Sequence, residues 1–141
     1  MVGKNSEYKK LVDAARKAQR QAHTPYSHFH VGASILTSSG RIYSGCNIEN
    51  SSYSLTICAE RVAIFKAISE GETSFNAAVV YTNDPILTSP CGACRQVLFD
   101  LAGNIDIVMC NHTGKQKIVK LKKLLPLAFT ADNLKRTKKK K

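Results

Sequence analysis

The sequence predicts an α/β fold of three layers, in which a mixed sheet of about five strands carries helices on both faces. The order of the predicted elements favours this class, and the length of the chain indicates a single domain. Segments in which apolar residues recur at helical spacing alternate with short runs rich in β-forming residues. The chain also has 141 residues, the usual size of one domain, and shows no internal repeat or linker. We expect residues 1–133 to form one domain and residues 134–141 to form a basic tail without fixed structure.

The first half of the chain is predicted to form a helix, a hairpin and a second helix. Thr24-Pro25 ends the first helix, because the residue before a proline avoids helical angles. Residues 38–40, Ser-Ser-Gly, have the composition of a hairpin turn, and Gly71 closes the second helix. The predicted elements are a helix at residues 7–22, strands at 31–37 and 41–47, and a helix at 58–70.

The second half alternates strands and helices. Ser89-Pro90 indicates a helix start, because serine caps helix N-termini and proline at the first helical position loses no hydrogen bond. Gly103 then stops this helix. The predicted elements are a strand at residues 76–82, a helix at 91–101, strands at 104–110 and 118–119, and a short helix at 119–125. One sheet with helices on its faces accommodates this order.

The net charge of +11 is concentrated at one end of the chain. From Lys115 onward there are eleven Lys or Arg and a single acid, Asp132, so the preceding residues are close to neutral. A nucleic-acid-binding domain usually carries basic residues over a whole face, which this distribution does not predict. We expect residues 138–141 to be a solvated end, with a weak contact to a polyanion as the alternative.

The hydropathy and the cysteine count indicate the environment of the protein. No apolar run approaches the roughly 20 residues of a membrane span, and residues 1–10 lack the apolar core of a secretion signal. We therefore expect a cytoplasmic protein without a membrane partner. The five cysteines are an odd number, which argues against a disulfide framework. In a reducing compartment, clustered cysteines more often bind a metal or take part in catalysis.

Three of the cysteines have the spacing of a metal site. Cys91 and Cys94 lie three residues apart, which on a helix puts them on one face with Cβ atoms about 5–6 Å apart. Two thiolates so placed can share one Zn²⁺ at about 2.3 Å. This pair alone is also compatible with a dithiol redox site or with half of a structural zinc site. Cys58, earlier in the chain, adds a third thiolate.

The number of ligands separates a structural from a catalytic zinc site. Structural sites use four protein ligands, whereas three ligands leave a position for water. Cys46 and Cys110 could supply a fourth thiolate, but both lie in or beside apolar strands, where free cysteine behaves as a small core residue. We therefore expect one catalytic Zn²⁺ per chain, held by Cys58, Cys91 and Cys94.

Charged residues beside these cysteines predict the supporting chemistry. Three thiolates and one Zn²⁺ leave a net negative charge, so a cation should offset it, and Arg61 is favoured over Arg95 as the donor to a ligand sulfur. The two helix N-termini also help to keep the thiolates ionised. Glu60 stands two residues after Cys58, where its carboxylate can exchange protons with water near the metal. The alternative is that Glu60 interacts only with the helix dipole.

These motifs resemble those of the small homotetrameric cytidine deaminases, a family of zinc-dependent nucleoside deaminases. The resemblance extends from about Tyr8 to Phe129. It is carried by four segments, Pro25-Tyr26-Ser27-His28-Phe29, Gly45-Cys46-Asn47-Ile48-Glu49-Asn50, Cys58-Ala59-Glu60-Arg61 and Ser89-Pro90-Cys91-Gly92-Ala93-Cys94-Arg95-Gln96. The chain departs from the family beyond Asn133 and at His30, where members commonly have proline. His30 as a zinc ligand is a minor alternative.

The resemblance implies roles for individual residues in binding the substrate. Asn47 and Glu49 would hydrogen-bond the ribose 3′-hydroxyl, and alternate residues of a strand do point the same way. Phe29 would pack against the nucleoside, and Phe129 would reach it from a neighbouring subunit. The backbone of Ala59 would meet the edge of the pyrimidine ring.

The resemblance also implies the reaction, which is hydrolytic deamination of cytidine and 2′-deoxycytidine to the uracil nucleosides in pyrimidine salvage. The enzyme would be a homotetramer with shared active sites and one Zn²⁺ per chain. Glu60 would carry protons from water to ring N3 and to the departing amine, and Arg61 would hydrogen-bond the zinc thiolates.

Two alternatives stay open for the function. The first is a deaminase of blasticidin S, or of cytosine within RNA or DNA. The second is a structural zinc module that binds nucleic acid through its basic end. A clamp on the 3′-hydroxyl would clash with a continuing phosphate, so we expect a free nucleoside and no specific nucleic acid partner.

Overall fold

The structure is a computed structural model that describes residues 2–138, including the side chains of residues 5–135. Its helices are α1 (Val2–Gln19), α2 (Ala59–Ser69), α3 (Gly92–Ala102), α4 (Leu121–Leu124) and α5 (Ala131–Lys138), with a single 3₁₀ turn at Tyr53–Leu55. Its strands are β1 (Val31–Thr37), β2 (Ile42–Cys46), β3 (Phe75–Thr82), β4 (Asp106–Asn111) and β5 (Gln116–Lys120).

The five strands form one mixed sheet in the order β2-β1-β3-β4-β5. Strands β3 and β4 pair in parallel, whereas the other three neighbouring pairs are antiparallel. A parallel pair needs a crossover connection, which is usually a helix. Here the crossover is α3, which carries the paired cysteines Cys91 and Cys94 at its N-terminus.

Helices cover both faces of the sheet, and the central strand shows why. Alternate strand residues point to opposite faces. In β3, Ala78 and Val80 pack on the side of α2 and α3, while Ala77 and Val79 pack on the side of α1. All four are at most 3% exposed. A strand buried on both faces has a continuous apolar run, as β3 does. The predicted three-layer α/β class is confirmed.

The layers approach closely at two glycines. A Cβ atom at Gly32 of β1 would lie 1.9 Å from the carbonyl oxygen of Ala15 in α1. At Gly45 of β2, a Cβ would lie 2.7 Å from the backbone of both Ala59 and Ala63 in α2. Contacts this short cannot be accommodated, so both helices sit where only glycine leaves room for them.

Strand β1 has the bounds that the sequence predicts, whereas the bounds of other elements differ. The first helix was expected at residues 7–22 and spans Val2–Gln19. The prediction that Ser89 caps α3 is wrong, because Cys91 is the N-cap, with extended backbone at φ −64° and ψ 166°. The Ser89 hydroxyl and the Pro90 carbonyl accept hydrogen bonds from Arg95 instead.

The C-terminal end contains a helix that the sequence analysis does not predict. Helix α5, Ala131–Lys138, crosses the boundary expected between residues 133 and 134. Residues 139–141 lie outside the described part of the chain, so the tail without fixed structure stays a prediction. None of the helices within residues 2–138 has the length and apolar character needed to cross a bilayer.

Candidate metal and catalytic site

The starts of two helices bring three cysteines together. Cys58 is the N-cap of α2, Cys91 is the N-cap of α3, and Cys94 lies in the first turn of α3. Their Sγ atoms all lie within 4.8 Å of one another. The Sγ atoms of Cys58 and Cys91 are 3.7 Å apart. The structure therefore assembles the three sulfurs that the sequence singled out.

This sulfur set fits one Zn²⁺ per chain. Tetrahedral zinc with Zn–S bonds of about 2.3 Å places its sulfurs about 3.8 Å apart, close to the separation of Cys58 and Cys91. Among the described residues this is the one group of three or more His, Cys, Asp or Glu side chains with ligand atoms placed for a metal. Cys46 lies in β2, and Cys110 is buried in β4, so neither is part of the cluster.

Hydrogen bonds favour negative charge on the Cys58 sulfur. The bond from the Cys94 thiol and then the bond from Arg61 lower the pKa of the Cys58 thiol well below its ordinary value, against the opposing effect of burial. The Arg61 Nη2 atom donates to Cys58 Sγ over 3.3 Å. The pKa of Cys94 is raised, mainly because its thiol donates to Cys58. The structure places Arg61 on a sulfur, as the sequence analysis favoured.

Glu60 lies in the first turn of α2 and is only 5% exposed. Burial raises the pKa of its carboxyl to about 7, because the ionised form loses its hydration. A carboxyl with a pKa near neutral can both accept and donate protons at physiological pH. The structure therefore gives Glu60 an environment that suits proton transfer beside the sulfur cluster.

A cavity of about 170 Å³ opens over this cluster. The predicted residues that line it are Phe29, Asn47, Cys58, Ala59, Glu60 and Cys91. A larger cleft of about 490 Å³ lies at Tyr8 and Asp106, away from the sulfurs, so cavity size alone does not locate the site. The smaller cavity is the place where a ring could meet both the metal position and the carboxyl of Glu60.

Asn47 and Glu49 both hold the loop that precedes β1. The Asn47 Nδ2 donates to the carbonyl of Phe29 over 2.7 Å, and its Oδ1 accepts from the Val31 amide over 2.9 Å. Glu49 accepts from the amides of Tyr26 and Ser27 and from the Ser27 hydroxyl.

The bond from the Ser27 hydroxyl is the main cause of the lowered pKa of Glu49. Asn47 lines the cavity, whereas Glu49 is not among its lining residues. The structure therefore brings Asn47, and not Glu49, to the site that both were predicted to share.

The other predicted residues lie away from the cavity. Phe129 is 57% exposed and lines a separate groove with Phe65 and Gln96. His30 is exposed, and its Nε2 lies 3.4 Å from the hydroxyl of Thr24. Arg95 binds Ser89, Pro90 and the carbonyl of Leu124, which corrects the alternative that it donates to a ligand sulfur.

The cavity also has lining residues to which the sequence assigns no role in the site. They are Val31, Thr56, Ile57, Val80, Thr88 and Ser89. Four of these directly precede a ligand motif in the chain, and that adjacency was a usable signal. Val31 and Val80 are apolar strand residues like many others, so nothing in the sequence marks them.

The fold and the site together define a class. This combination is typical of a zinc-dependent hydrolase that acts on a small ring: a mixed sheet, three sulfurs at two helix starts and a buried carboxyl beside them. The family model described as "Cytidine and deoxycytidylate deaminase zinc-binding region" matches residues 5–111. The chain belongs to this deaminase family, which confirms the predicted class of enzyme and its zinc.

Comparisons with individual proteins agree over most of the chain. A cytidine deaminase of Sporosarcina psychrophila is 46% identical over 129 residues, covering 91% of this chain and 95% of that protein. A probable cytidine deaminase of Dictyostelium discoideum is 47% identical over 130 residues, covering 91% and 87%. The crystal structure of cytidine deaminase from Burkholderia pseudomallei superposes with a TM-score of 0.83 at 40% identity, covering 86% and 98%.

Proposed function

We propose that the protein catalyses the hydrolytic deamination of cytidine and 2′-deoxycytidine to uridine and 2′-deoxyuridine, as a step of pyrimidine salvage. The observation that carries this proposal is the buried Glu60 beside a three-sulfur cluster, both facing one small cavity. The relatives that bear the name cytidine deaminase, at 46% and 42% identity, support the same substrate class.

In this proposal Cys58, Cys91 and Cys94 hold the metal. Zn²⁺ bound there supplies a Lewis acid that lowers the pKa of a water molecule towards about 7. Arg61 contacts the sulfur of Cys58 and offsets part of the negative charge of three thiolates. Without the positive charge of Arg61, the three thiolates would make the metal a weaker Lewis acid.

Glu60 moves the protons. Its carboxylate accepts a proton from the attacking water and delivers it to ring N3, which draws electrons away from C4. The water oxygen then forms a bond to C4 and becomes a hydroxyl group there. Glu60 takes the remaining proton of that hydroxyl and transfers it to the amino nitrogen. The C4–N bond breaks, ammonia leaves, and the ring retains a carbonyl group. Burial of Glu60 keeps bulk water from competing for these protons.

The nucleoside is positioned by residues that line the cavity and by Glu49, which holds the loop before β1. Ala59 is fully buried in the first turn of α2, where its backbone can meet the edge of the ring. Phe29 lines the cavity and offers an aromatic face. Asn47 and Glu49 bind the ribose 3′-hydroxyl in this proposal, and Asn47 already lines the cavity.

We also propose a homotetramer with shared active sites. Phe129 is exposed and lies outside the cavity of its own chain, which is expected of a residue that completes a neighbour's site. Phe65 and Leu134 are exposed beside it, so the surface has the apolar character of a subunit interface.

The test is the fall in ultraviolet absorbance of cytidine with purified zinc-loaded protein. We expect turnover that a strong chelator abolishes and added Zn²⁺ restores. Blasticidin S and a cytosine-containing oligonucleotide serve as rival substrates, and a blasticidin-S deaminase of Bacillus cereus is 33% identical to the chain. Turnover of either rival in preference to cytidine, or turnover that survives complete removal of zinc, would refute the proposal.

A further inference from the structure

One side chain next to a metal ligand binds three separate parts of the chain. Arg95 follows Cys94 in the first turn of α3. Its Nε donates to the carbonyl of Pro90 over 2.7 Å, and its Nη2 donates to the hydroxyl of Ser89 over 2.6 Å. Its Nη1 donates to the carbonyl of Leu124 over 2.9 Å. All three nitrogens of the guanidinium are therefore engaged.

Two of these bonds fix the turn that presents Cys91. Pro90 directly precedes this cysteine, and its carbonyl belongs to the peptide that leads into it. Cys91 has extended backbone and makes no side-chain capping bond, so the helix start does not itself hold the thiol in place. The backbone bond from the Arg95 amide to the Cys91 carbonyl, at 3.0 Å, is the first bond of α3 and forms whichever side chain residue 95 carries. The Arg95 side chain therefore holds the two residues that directly precede the cysteine whose sulfur must reach the metal.

The third bond joins this turn to the C-terminal part of the chain. Leu124 ends α4, and its carbonyl is one of those that a helix leaves without an internal partner. Gln96, the next residue of α3, donates from its Nε2 to the carbonyl of Phe129 over 2.8 Å. Arg95 and Gln96 therefore anchor the same C-terminal segment, but only Arg95 also holds the metal turn.

We propose that Arg95 is a positioning residue that fixes the Cys91 thiolate for zinc by clamping the Ser89–Pro90 turn against the end of α4. A guanidinium suits this task because its donors lie in one plane at fixed directions, which lets one side chain meet three acceptors. The ammonium group of a lysine has the same charge, but its donors do not lie in one plane at fixed directions. The proposal rests on the proposed function for its zinc, and it concerns metal binding rather than a contact with substrate.

The experiment measures zinc affinity by competition with a chromophoric chelator, for the full chain and four variants. We expect R95A to weaken zinc binding by about 10- to 100-fold, the usual effect of removing a group that orients a metal ligand. S89A should weaken it less, since one of the three bonds is lost. Q96A is the matched control, because it removes a bond from the same helical turn to the same segment and should leave zinc affinity unchanged.

The variant R95K separates geometry from charge. If Arg95 acts by geometry, R95K should bind zinc nearly as weakly as R95A, and the thiolate-to-metal absorption bands of the Co²⁺-substituted protein should shift in both. Zinc affinity of R95K equal to that of the unmodified protein would overturn the proposal, as would equal losses in R95A and Q96A. If R95A does not fold, the comparison of S89A with Q96A decides the question. Weaker zinc binding in S89A but not in Q96A supports the proposal. Equal zinc affinities of these two variants overturn it.

The outcomes also separate this inference from the proposed function. If the unmodified protein deaminates cytidine and R95A binds zinc normally, the positioning role is wrong while the proposed function stands. If the unmodified protein binds zinc but does not act on cytidine, and R95A still loses zinc affinity, the proposed function is wrong while the positioning role stands.

Discussion

Glu60 occupies a position that a purely structural acid would avoid. Its side chain is only 5% exposed, and no arginine or lysine forms a salt bridge with it among the described residues. Burying a carboxyl in this way is unfavourable unless the group is neutral or used in chemistry. An acid that served only the helix dipole could stay in solvent at the same helix start. The burial of Glu60 therefore favours its catalytic role over that alternative.

The substitution Glu60→Gln tests the role of this carboxyl directly. Glutamine keeps the size of the side chain but cannot carry a proton, so we expect zinc to be retained while kcat falls by at least about 10²- to 10⁴-fold. Metal content and cytidine turnover are the two measurements. Glu70→Gln, at the exposed C-terminal end of the same helix, is the control and should keep full turnover. Turnover that persists in the Glu60 variant would remove this residue from the mechanism.

At the residue scale, the sequence predicts the metal ligands better than it predicts the hydrogen-bond partners of the side chains around them. Cysteine spacing identifies the pair Cys91 and Cys94, and the third thiolate of Cys58 favours a catalytic zinc site over the other uses of such a pair. The Arg95 contacts could not be found in the same way. Its three acceptors include two backbone carbonyls, which every residue has, so the pairing depends on how α3 and α4 pack.

At the element scale, a buried polar contact ties α1 to the sheet. The hydroxyl of Tyr8 donates to the Asp106 carboxylate over 2.6 Å, and Lys120 of β5 binds the same carboxylate over 2.9 Å. Burial, and then the hydrogen bond to Asp106, raise the pKa of Tyr8 above its ordinary value of 10.0. The folded state therefore holds the phenolic proton more tightly than the unfolded state does.

Because of this contact, we expect the protein to lose stability at alkaline pH. The substitution Tyr8→Phe should remove the part of this loss that is due to Tyr8. Above about pH 10 the unfolded chain releases the Tyr8 proton while the folded chain keeps it, so the free energy of unfolding falls with rising pH, by at most about 1.4 kcal/mol per pH unit. At pH 7 we expect the variant to be less stable by about 1–3 kcal/mol, because Asp106 loses a donor.

Denaturant unfolding of both zinc-loaded proteins at pH 7 and pH 10.5 is the measurement. We expect the difference in free energy of unfolding between the unmodified protein and the Tyr8→Phe variant to be smaller at pH 10.5 than at pH 7. Other tyrosines and lysines titrate in both proteins and cancel in the comparison. A difference that stays constant with pH would contradict the role assigned to Tyr8.

Close packing of α2 on β2 gives a second prediction at this scale. In Gly45→Ala the new Cβ would lie 2.7 Å from backbone atoms of Ala59 and Ala63, so α2 has to move, and it carries Cys58 and Glu60. We expect a loss of stability of about 1–3 kcal/mol together with weaker zinc binding. Chemical unfolding and chelator competition measure the two effects.

The matched control is Gly92→Ala, within the metal motif itself. A Cβ at Gly92 has nothing within 4 Å, so this change should leave stability and zinc affinity nearly unaltered. Motif position alone would suggest that Gly92 is the more sensitive of the two glycines. If Gly92→Ala proves the more damaging change, the packing argument for Gly45 is wrong.

The bounds of a helix or strand can be predicted where a periodic apolar pattern ends at clear turn residues. Strand β1 has the predicted bounds, because its buried run ends at the turn residues 38–40. Strand β5 was expected only at residues 118–119 and spans Gln116–Lys120, because pairing with β4 extends it over polar residues. The sequence does not reveal helix α5, because its charged segment contains only two apolar residues, Ala131 and Leu134, from which a helical spacing could be detected.

At the scale of the whole molecule, several exposed apolar residues are grouped on one groove of about 380 Å³. Phe65 of α2 and Phe129 before α5 are 44% and 57% exposed, and Leu134 is 59% exposed. Grouped aromatic and aliphatic side chains at a surface are typical of an interface between protein chains. A subunit covering this groove would also fix the direction in which Phe129 points.

A subunit-mixing experiment tests whether Phe129 completes the site of another chain. We expect Phe129→Ala to raise KM for cytidine several-fold, because an aromatic contact with the nucleoside is lost. If the protein is the proposed tetramer and Phe129 completes a neighbouring site, oligomers co-assembled from Phe129→Ala and Glu60→Gln chains contain sites with the intact Glu60 of one chain and the intact Phe129 of the other. With random mixing about a quarter of the sites regain both groups, and activity at low cytidine concentration should exceed the sum of the two separate proteins. If Phe129 acts within its own chain, or the protein is monomeric, mixing can restore nothing, since every site then lacks one of the two side chains.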